Sequence, residues 1–276
     1  MAAAGDDPVT AAILRDKDPA AASVFAPAAL LREARRQKGL AEVSVPAVCV
    51  LDPDGDLVRR LRADGRAVGF AGWPCYHSEL DVFSLGGREV GIVGRVVGAP
   101  FAVLVAEELF ACGARLVVSL TSAGQILPPE GGQAGPYFVV IERAWRDEGT
   151  SYHYAAPAEF AVADPRLVAG AAAGLAGVGV RWSVGASWTT DAPFRETAAA
   201  IAAARGRGIL AVEMEAAALY AFAGAAGVDV LCLAHVTNTM GVGAEDFEKG
   251  EAEGTQDALA VLEAVVGGWF RNLKFR

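Results

Sequence analysis

The sequence predicts an α/β fold with a mostly parallel or mixed sheet that helices cover on both faces. Three observations support this class. The chain of 276 residues suits one large domain, 53% of its residues are hydrophobic, and continuous apolar runs alternate with helical segments. No internal repeat and no interior linker interrupts the alternation. We therefore expect one α/β domain rather than two small ones.

Residues 1–40 are predicted to form an N-terminal extension that contains one helix. Residues 1–25 are rich in Ala, Asp and Pro, a composition typical of loosely ordered termini. The helix is predicted from Pro27 to Lys38, because Pro is favoured in the first helical turn and Gly39 suits the position after the last one. The α/β domain then spans residues 41–276.

Strands and helices alternate through this domain. Strands are expected where short apolar runs are bounded by turn residues, and alanine- and glycine-rich runs are expected to be helices with small packing faces. A hairpin is expected around Gly86 and Gly87. The predicted strands are 45–51, 81–85, 89–97, 116–120, 137–142, 152–154, 180–188, 209–214 and 228–237. The predicted helices are 57–63, 102–112, 165–176, 197–204, 216–227 and 255–274.

Composition argues against several classes of function. The formal net charge is −9, and the one basic cluster, residues 32–38, is mixed with acid, so a nucleic-acid-binding surface is not expected. No apolar run reaches the ~20 residues of a membrane span, and the acidic N-terminus lacks the basic region of a signal peptide. The four cysteines form no C-x-x-C pair, so zinc and redox chemistry are not indicated. We expect a cytoplasmic protein that contacts neither nucleic acid nor membrane.

Polar residues follow most of the predicted strands. Ligands of open α/β sheets bind beyond the carboxyl ends of the strands, so these residues form the candidate site. Hydroxyls, carboxylates, an amide and glycines dominate there, a set that suits a polyhydroxylated, heterocyclic ligand. The segments are 52–56, 95–100, 121–124, 189–191, 213–215 and 237–239.

An acidic pair, Glu213 and Glu215, flanks Met214 where a strand is expected to pass into a helix. Burying two carboxylates is costly unless they have hydrogen-bond donors. Sugar hydroxyls are suitable donors, because one carboxylate can accept two of them. The alternative is a purely structural role, in which acidic residues complement the dipole at the N-terminus of the helix.

Four further motifs accompany this pair in a fixed order along the chain. Gly98-Ala99-Pro100 precedes a helix that contains Glu-Glu-Leu at 107–109, and Ser-Leu-Thr-Ser-Ala-Gly occupies 119–124. Thr-Thr-Asp-Ala-Pro-Phe occupies 189–194, and Val-Thr-Asn occupies 236–238. With Glu-Met-Glu-Ala at 213–216, they resemble the motifs of the nucleoside phosphorylase and nucleosidase superfamily over roughly residues 45–270. That superfamily includes uridine phosphorylase, hexameric purine nucleoside phosphorylase and methylthioadenosine nucleosidase.

The resemblance implies roles for particular residues. Met214 and Glu215 match residues that lie under the ribose and bind its hydroxyls, and Asn238 falls where purine enzymes carry a catalytic Asp and uridine or 6-oxopurine enzymes carry Asn. The loop at 121–124 would contact phosphate or ribose, and Phe194 would stack on the base. The implied catalytic residues are Asn238 and Glu215. The implied substrate-binding residues are Met214, Glu213, Phe194, Thr190, Ser122, Thr121, Gly124, Arg95 and His77.

The family also implies a central sheet that is partly barrel-like, no metal, no cofactor, and phosphate as co-substrate of the phosphorylases. It further implies a homodimer or a hexamer with shared active sites, in which His77 is the residue that a neighbouring subunit would donate. The chain departs from the family at the three arginines that bind phosphate. By alignment, Leu57, Ser78 and Ser119 occupy those positions, and the first loop carries Asp52, Asp54 and Asp56.

Three functions therefore stay open at the level of sequence. The first is phosphorolysis of a nucleoside, with an anion site rebuilt around Arg95, Arg59 or Arg60. The second is hydrolysis, with water in place of phosphate and activated by Asp54, Glu79 or Glu215. The third is a non-catalytic relative that binds nucleosides.

Overall fold

The structure is a computed structural model and describes residues 12–129, 136–239 and 254–273. The strands in these ranges are β1 (Val48–Asp52), β2 (Ala67–Gly69), β3 (Asp81–Leu85), β4 (Arg88–Gly94), β5 (Leu116–Gln125), β6 (Tyr137–Asp147), β7 (Phe160–Val162), β8 (Trp182–Thr190), β9 (Ile209–Glu213) and β10 (Asp229–Thr239). The α-helices are α1 (Pro27–Lys38), α2 (Asp56–Ala63), α3 (Ala99–Ala111), α4 (Pro165–Leu175), α5 (Ala198–Gly206), α6 (Ala216–Ala226) and α7 (Thr255–Leu273).

Five strands close into a barrel in the order β10-β6-β8-β9-β5, and β5 pairs with β10 to complete the ring. The remaining sheet extends from β5 through β1, β4, β3 and β2. Pairing is mixed, because β5 lies parallel to β10 and β1 but antiparallel to β9. The expectation of a mixed, partly barrel-like sheet flanked by helices is confirmed.

Helices bury both faces of the sheet, as continuous apolar strands require. On one face, α3 and α6 pack over residues such as Val117, Val139 and Cys232. On the other face, α2, α4 and α7 pack over residues such as Val118 and Val140. In β5, Val117 and Val118 are neighbours in sequence but face opposite sides of the sheet, and Val139 and Val140 do the same in β6. This alternation is expected of strands that are covered on both sides.

Strand β5 is longer than its sequence pattern indicates. It was expected to end at residue 120, with a loop at 121–124, but it continues to Gln125 because β10 pairs with it in parallel from Leu116 onward. Gly124 also pairs with Val212 of β9. The candidate loop at 121–124 is therefore the last part of a strand, held between two neighbours.

The strand expected at 152–154 is wrong, since Thr150–His153 form a single 3₁₀ turn. Local side-chain bonds curl the chain there: the Ser151 N–H donates to Glu148 at 2.9 Å, and Arg146 donates to the Ser151 hydroxyl at 2.8 Å. Strands β2 and β7 are three residues each and were not expected. No helix in the described part of the chain is both long and apolar enough to cross a membrane.

Helices α4 and α7 approach each other through glycines. A Cβ atom at Gly174 of α4 would lie 2.5 Å from the carbonyl oxygen of Ala264, and one at Gly268 of α7 would lie 2.8 Å from the carbonyl oxygen of Gly170. Both distances are too short for a carbon atom against a backbone oxygen. The close packing of the two helices therefore depends on the absence of side chains at these positions.

We predict that Gly174→Ala lowers the free energy of unfolding by ~1–3 kcal/mol, because overpacking outweighs the gain in helix propensity. Gly224→Ala in α6 is the matched control, since a Cβ atom there meets open space. It should raise the free energy of unfolding by ~0.5–1 kcal/mol. Urea denaturation measures both values. Equal stabilisation by the two substitutions would contradict the close helix contact.

Candidate functional site

Glu213, at the end of β9, holds a buried carboxylate whose acceptor sites are engaged within the protein. Its Oε1 accepts hydrogen bonds from the hydroxyls of Ser187 at 2.9 Å and Thr189 at 2.5 Å, both on β8. Its Oε2 accepts from the backbone N–H groups of Glu215 and Ala216, each at 2.7 Å. Burial raises the pKa of the Glu213 carboxyl, and the four donors offset part of this effect because they favour its ionised form. The same bonds fix the N-terminus of α6 against the sheet.

Glu215 is 1% exposed and is bonded less completely. Its Oε1 accepts from the backbone N–H of Gly98 at 2.7 Å. Its Oε2 is buried and has no hydrogen-bond partner among the described residues. The Thr121 hydroxyl is close enough to affect this carboxyl, but its own hydrogen bond goes to the Ser122 carbonyl at 3.2 Å. The site thus contains one buried carboxylate oxygen that a ligand's donor can satisfy.

The electrostatics of Glu215 follow from this arrangement. Burial raises the pKa of its carboxyl above the ordinary value of 4.5, and the adjacent Glu213 carboxylate raises this pKa further. The Gly98 N–H and the Thr121 hydroxyl act in the opposite direction, because they favour the ionised form. A ligand hydroxyl that reaches Oε2 would favour the ionised form in the same way. Met214 lies between the two acids and is half-buried.

Ser122 directs two donors at a single oxygen of Asp54. The backbone N–H of Ser122 lies 2.9 Å from Asp54 Oδ2, and the Ser122 hydroxyl donates to the same atom in a short hydrogen bond. Asp54 belongs to the turn between β1 and α2. The buried Asp52 shapes that turn by accepting from the Gly55 N–H at 3.2 Å and the Val58 N–H at 2.9 Å, and burial raises the pKa of Asp52 to about 6.

The remaining residues expected to contact substrate lie at or just beyond the ends of β5, β8 and β10. The Thr190 hydroxyl is buried and accepts from the Ala192 N–H at 3.2 Å. Phe194 lies in the 3₁₀ turn Pro193–Arg195 and is 98% exposed. Gly124 pairs with Asn238 across β5 and β10, beside a register shift in the ladder. The side chain of Asn238 lies outside the described part of the structure.

Arg95 and His77 line a cavity of about 520 Å³ with Gly55, Ser78 and Phe101. Arg95 has a φ of 63°, a left-handed conformation that is uncommon for residues other than glycine. Its side chain passes directly over Gly55, where a Cβ atom would lie 2.8 Å from Arg95 Cγ. Among the described residues, its guanidinium makes no hydrogen bond or ion pair.

Arg95 is also connected to the acidic pair through the backbone. It precedes Gly98 by three residues, so its Cα atom lies within about 10 Å of the N–H group that binds Glu215. Arg62 and, more weakly, Arg95 lower the pKa of the Glu79 carboxyl, so Arg95 has an acidic neighbour in this cavity. Glu79 is hydrogen-bonded to Arg62, which leaves the exposed guanidinium of Arg95 available to bind an anion.

Among the donors to the two glutamates, Ser187 lies outside the segments expected to form the site. Thr189 and Gly98 lie inside the expected segments 189–191 and 95–100, but their roles as donors were not expected. Ser187 and Thr189 supply hydroxyls to Glu213, and the Gly98 N–H supplies the donor to Glu215. Ser187 and Thr189 are two positions apart in β8, so their side chains lie on the same face of the strand. This spacing could have been recognised in the sequence. Gly98 was noted only as part of a turn. In residues 12–129, 136–239 and 254–273, no three His, Cys, Asp or Glu side chains are grouped to hold a metal ion.

Comparison with known proteins identifies the family of this chain. The model of a family described as the phosphorylase superfamily matches residues 44–267. The structure is similar to that of uridine phosphorylase from Vibrio fischeri complexed with 6-hydroxy-1-naphthoic acid, with a TM-score of 0.66 and 25% sequence identity. The similarity covers 80% of this chain and 90% of that chain. No curated protein matches the sequence. Since the family match spans most of the chain and the folds agree, this protein belongs to the phosphorylase superfamily.

Proposed function

We propose that the protein cleaves the N-glycosidic bond of a nucleoside, with phosphate as the acceptor of the sugar. The observation that carries this proposal is the buried Oε2 of Glu215, which has no hydrogen-bond partner among the described residues and follows the half-buried Met214 in the chain. A sugar hydroxyl would provide the missing donor, and the polarisable sulfur would face the ribose. Asn238 is proposed to hydrogen-bond the departing base.

The chemistry requires a sugar that carries positive charge as the bond breaks. The C1′–N bond breaks and its electron pair stays on the base, while a phosphate oxygen forms the new bond to C1′. The products are a sugar 1-phosphate and the free base, which takes up the proton that hydrogen phosphate loses. An amide at residue 238 can donate a hydrogen bond to the base but cannot protonate it, which favours a pyrimidine or 6-oxopurine as leaving group. Arg95 is the cation that we assign to phosphate.

Hydrolysis is the second candidate, and the positions of the three missing arginines favour it. Leu57 is buried in the core, and Ser119 is 1% exposed within β5. The Ser78 hydroxyl is engaged with Trp73 and Cys75 at 3.1 and 3.2 Å. None of these side chains supplies the charge that a phosphate dianion needs. In the hydrolytic reaction, a water oxygen would form the bond to C1′, and one proton of that water would pass to the departing base.

A panel of purine and pyrimidine nucleosides, incubated with and without phosphate, tests the proposal through the free base released. Base release that requires phosphate is the expected result. Release independent of phosphate would replace phosphorolysis with hydrolysis. If no nucleoside yields base although calorimetry detects nucleoside binding, the protein is a binding relative rather than an enzyme, and the proposal fails.

We further propose that the protein assembles as a homodimer or a hexamer, in which a neighbouring subunit completes each site and His77 is the donated residue. Size-exclusion chromatography with light scattering is expected to give a mass of at least two chains. A purely monomeric protein at micromolar concentration that still cleaves nucleosides would refute the shared site.

The two glutamates should respond differently to substitution. Glu215→Gln keeps the acceptor for Gly98 but removes the charged acceptor proposed for the sugar, so kcat/KM should fall roughly 10- to 150-fold while the fold survives. Glu213→Gln cannot satisfy four donors, so it should lower the free energy of unfolding by roughly 1–3 kcal/mol. Kinetics and thermal unfolding of both variants measure this contrast. Loss of stability in Glu215→Gln equal to that in Glu213→Gln would assign Glu215 a structural role instead.

The raised pKa of Glu215 predicts a pH dependence of stability. The folded protein binds this proton more tightly than the unfolded chain does. The resulting stability is present below pH ~4.5 and is lost as the pH rises through the folded-state pKa. The free energy of unfolding should therefore fall less steeply with pH in Glu215→Gln than in the wild type. Urea denaturation at a series of pH values measures both slopes, and parallel profiles would refute the prediction.

A further inference from the structure

The contact between Asp54 and Ser122 has the geometry of an oxyanion site that the chain's own carboxylate occupies. The backbone N–H and the hydroxyl of Ser122 converge on one oxygen atom, Asp54 Oδ2, across 68 positions of sequence. Two donors aimed at one oxygen are typical of sites that bind carboxylate or phosphate. Here both donors come from the end part of β5, next to the residue whose hydroxyl lies beside Glu215.

The fold of the turn does not depend on this contact. The Gly55 N–H donates to the Asp52 carbonyl at 3.0 Å, and the Arg95 N–H donates to the same carbonyl at 2.8 Å. The Asp52 carboxylate also accepts from Gly55 and Val58. Asp54 itself is exposed, so water can solvate its carboxylate when it leaves Ser122. Exposed contacts of this kind contribute little to stability, and the carboxylate can be displaced.

We propose that Asp54 determines which acceptor the site takes, because its carboxylate holds the Ser122 donors against an incoming anion. This inference rests on the proposed function and concerns the same site. Phosphate can reach the Ser122 donors only if Asp54 leaves them, since two anions cannot share one pair of donors and repel each other at that distance. Phosphate must therefore displace the Asp54 carboxylate before it can act as the acceptor of the sugar.

Direct binding of inorganic phosphate to the full chain, without nucleoside, tests the inference. Asp54→Ala is expected to bind phosphate at least ~10-fold more tightly than the wild type by titration calorimetry at fixed ionic strength. Asp56→Ala is the control for general charge, because it removes an equal charge from the first residue of α2 and also releases Arg59, the partner of Asp56 at 2.9 Å. It should change the affinity by no more than ~3-fold. Adding Ser122→Ala to Asp54→Ala should abolish the gain.

Asp54→Asn provides a second variant, which keeps an oxygen for Ser122 without the charge and should show a smaller gain than Asp54→Ala. Equal gains in the Asp54 and Asp56 variants would reduce the effect to general electrostatics and overturn the inference, as would no gain in either Asp54 variant. Nucleoside cleavage by the wild type is assayed separately. If the Asp54 variants bind phosphate more tightly but the wild type cleaves no nucleoside, the role of Asp54 is supported and the proposed function is rejected. If the wild type cleaves nucleosides but the Asp54 variants bind phosphate no more tightly, the proposed function is supported and the role of Asp54 is rejected.

Discussion

Glu213 is the buried acid around which the site is built. Burial raises the pKa of its carboxyl, so the group requires donors at fixed positions, and its four donors come from β8 and from the N-terminus of α6. Thr189 extends the connection, because its hydroxyl also accepts from the Ala217 N–H at 2.9 Å. The direction in which α6 leaves the sheet is therefore set by this one group. The same bonds set the position of Glu215, because its backbone N–H donates to Glu213 while its side chain accepts from the Gly98 N–H.

Glu215, the second acid of the pair, accepts fewer hydrogen bonds than Glu213 does. The Gly98 N–H favours the ionised form of Glu215, but burial and the nearby Glu213 carboxylate disfavour it. One of the Glu215 oxygens also has no hydrogen-bond partner among the described residues. A fold selected only for stability would not keep such a group. Asp54 differs from Glu215, because one of its carboxylate oxygens accepts two hydrogen bonds from Ser122. Both features make sense if a ligand supplies hydroxyl donors to the first and competes with the second.

Much of the fold could be predicted from the sequence because its signals are local. Pro27 and Gly39 bound helix α1 as expected, and most other elements lie within a few residues of their predicted bounds. The closure of the barrel was different, since the pairing of β5 with β10 joins segments that are more than a hundred positions apart. The same pairing extends β5 through Thr121 and Ser122. The 3₁₀ turn at Thr150–His153 formed through bonds from Arg146 and Glu148, which no local pattern of hydrophobicity reveals.

The candidate site was predictable in its residue types but not in its connections. The acidic pair, the hydroxyls and Arg95 were recognisable at strand ends. The sequence does not show, however, which glutamate has donors for both of its oxygens and which has an oxygen without a donor. That distinction depends on Ser187 and Thr189 reaching Glu213 across the sheet, and on Gly98 reaching Glu215 from a distant turn. The left-handed backbone of Arg95 likewise arises from its contact with the turn at Gly55.

A crystal structure of the protein with a non-cleavable nucleoside analogue would test the central claim most directly. The account predicts that a ribose hydroxyl donates to Glu215 Oε2, that Met214 lies under the sugar, and that Glu213 keeps its bonds to β8 and α6. A sugar bound elsewhere, with Glu215 Oε2 still without a ligand donor, would contradict it.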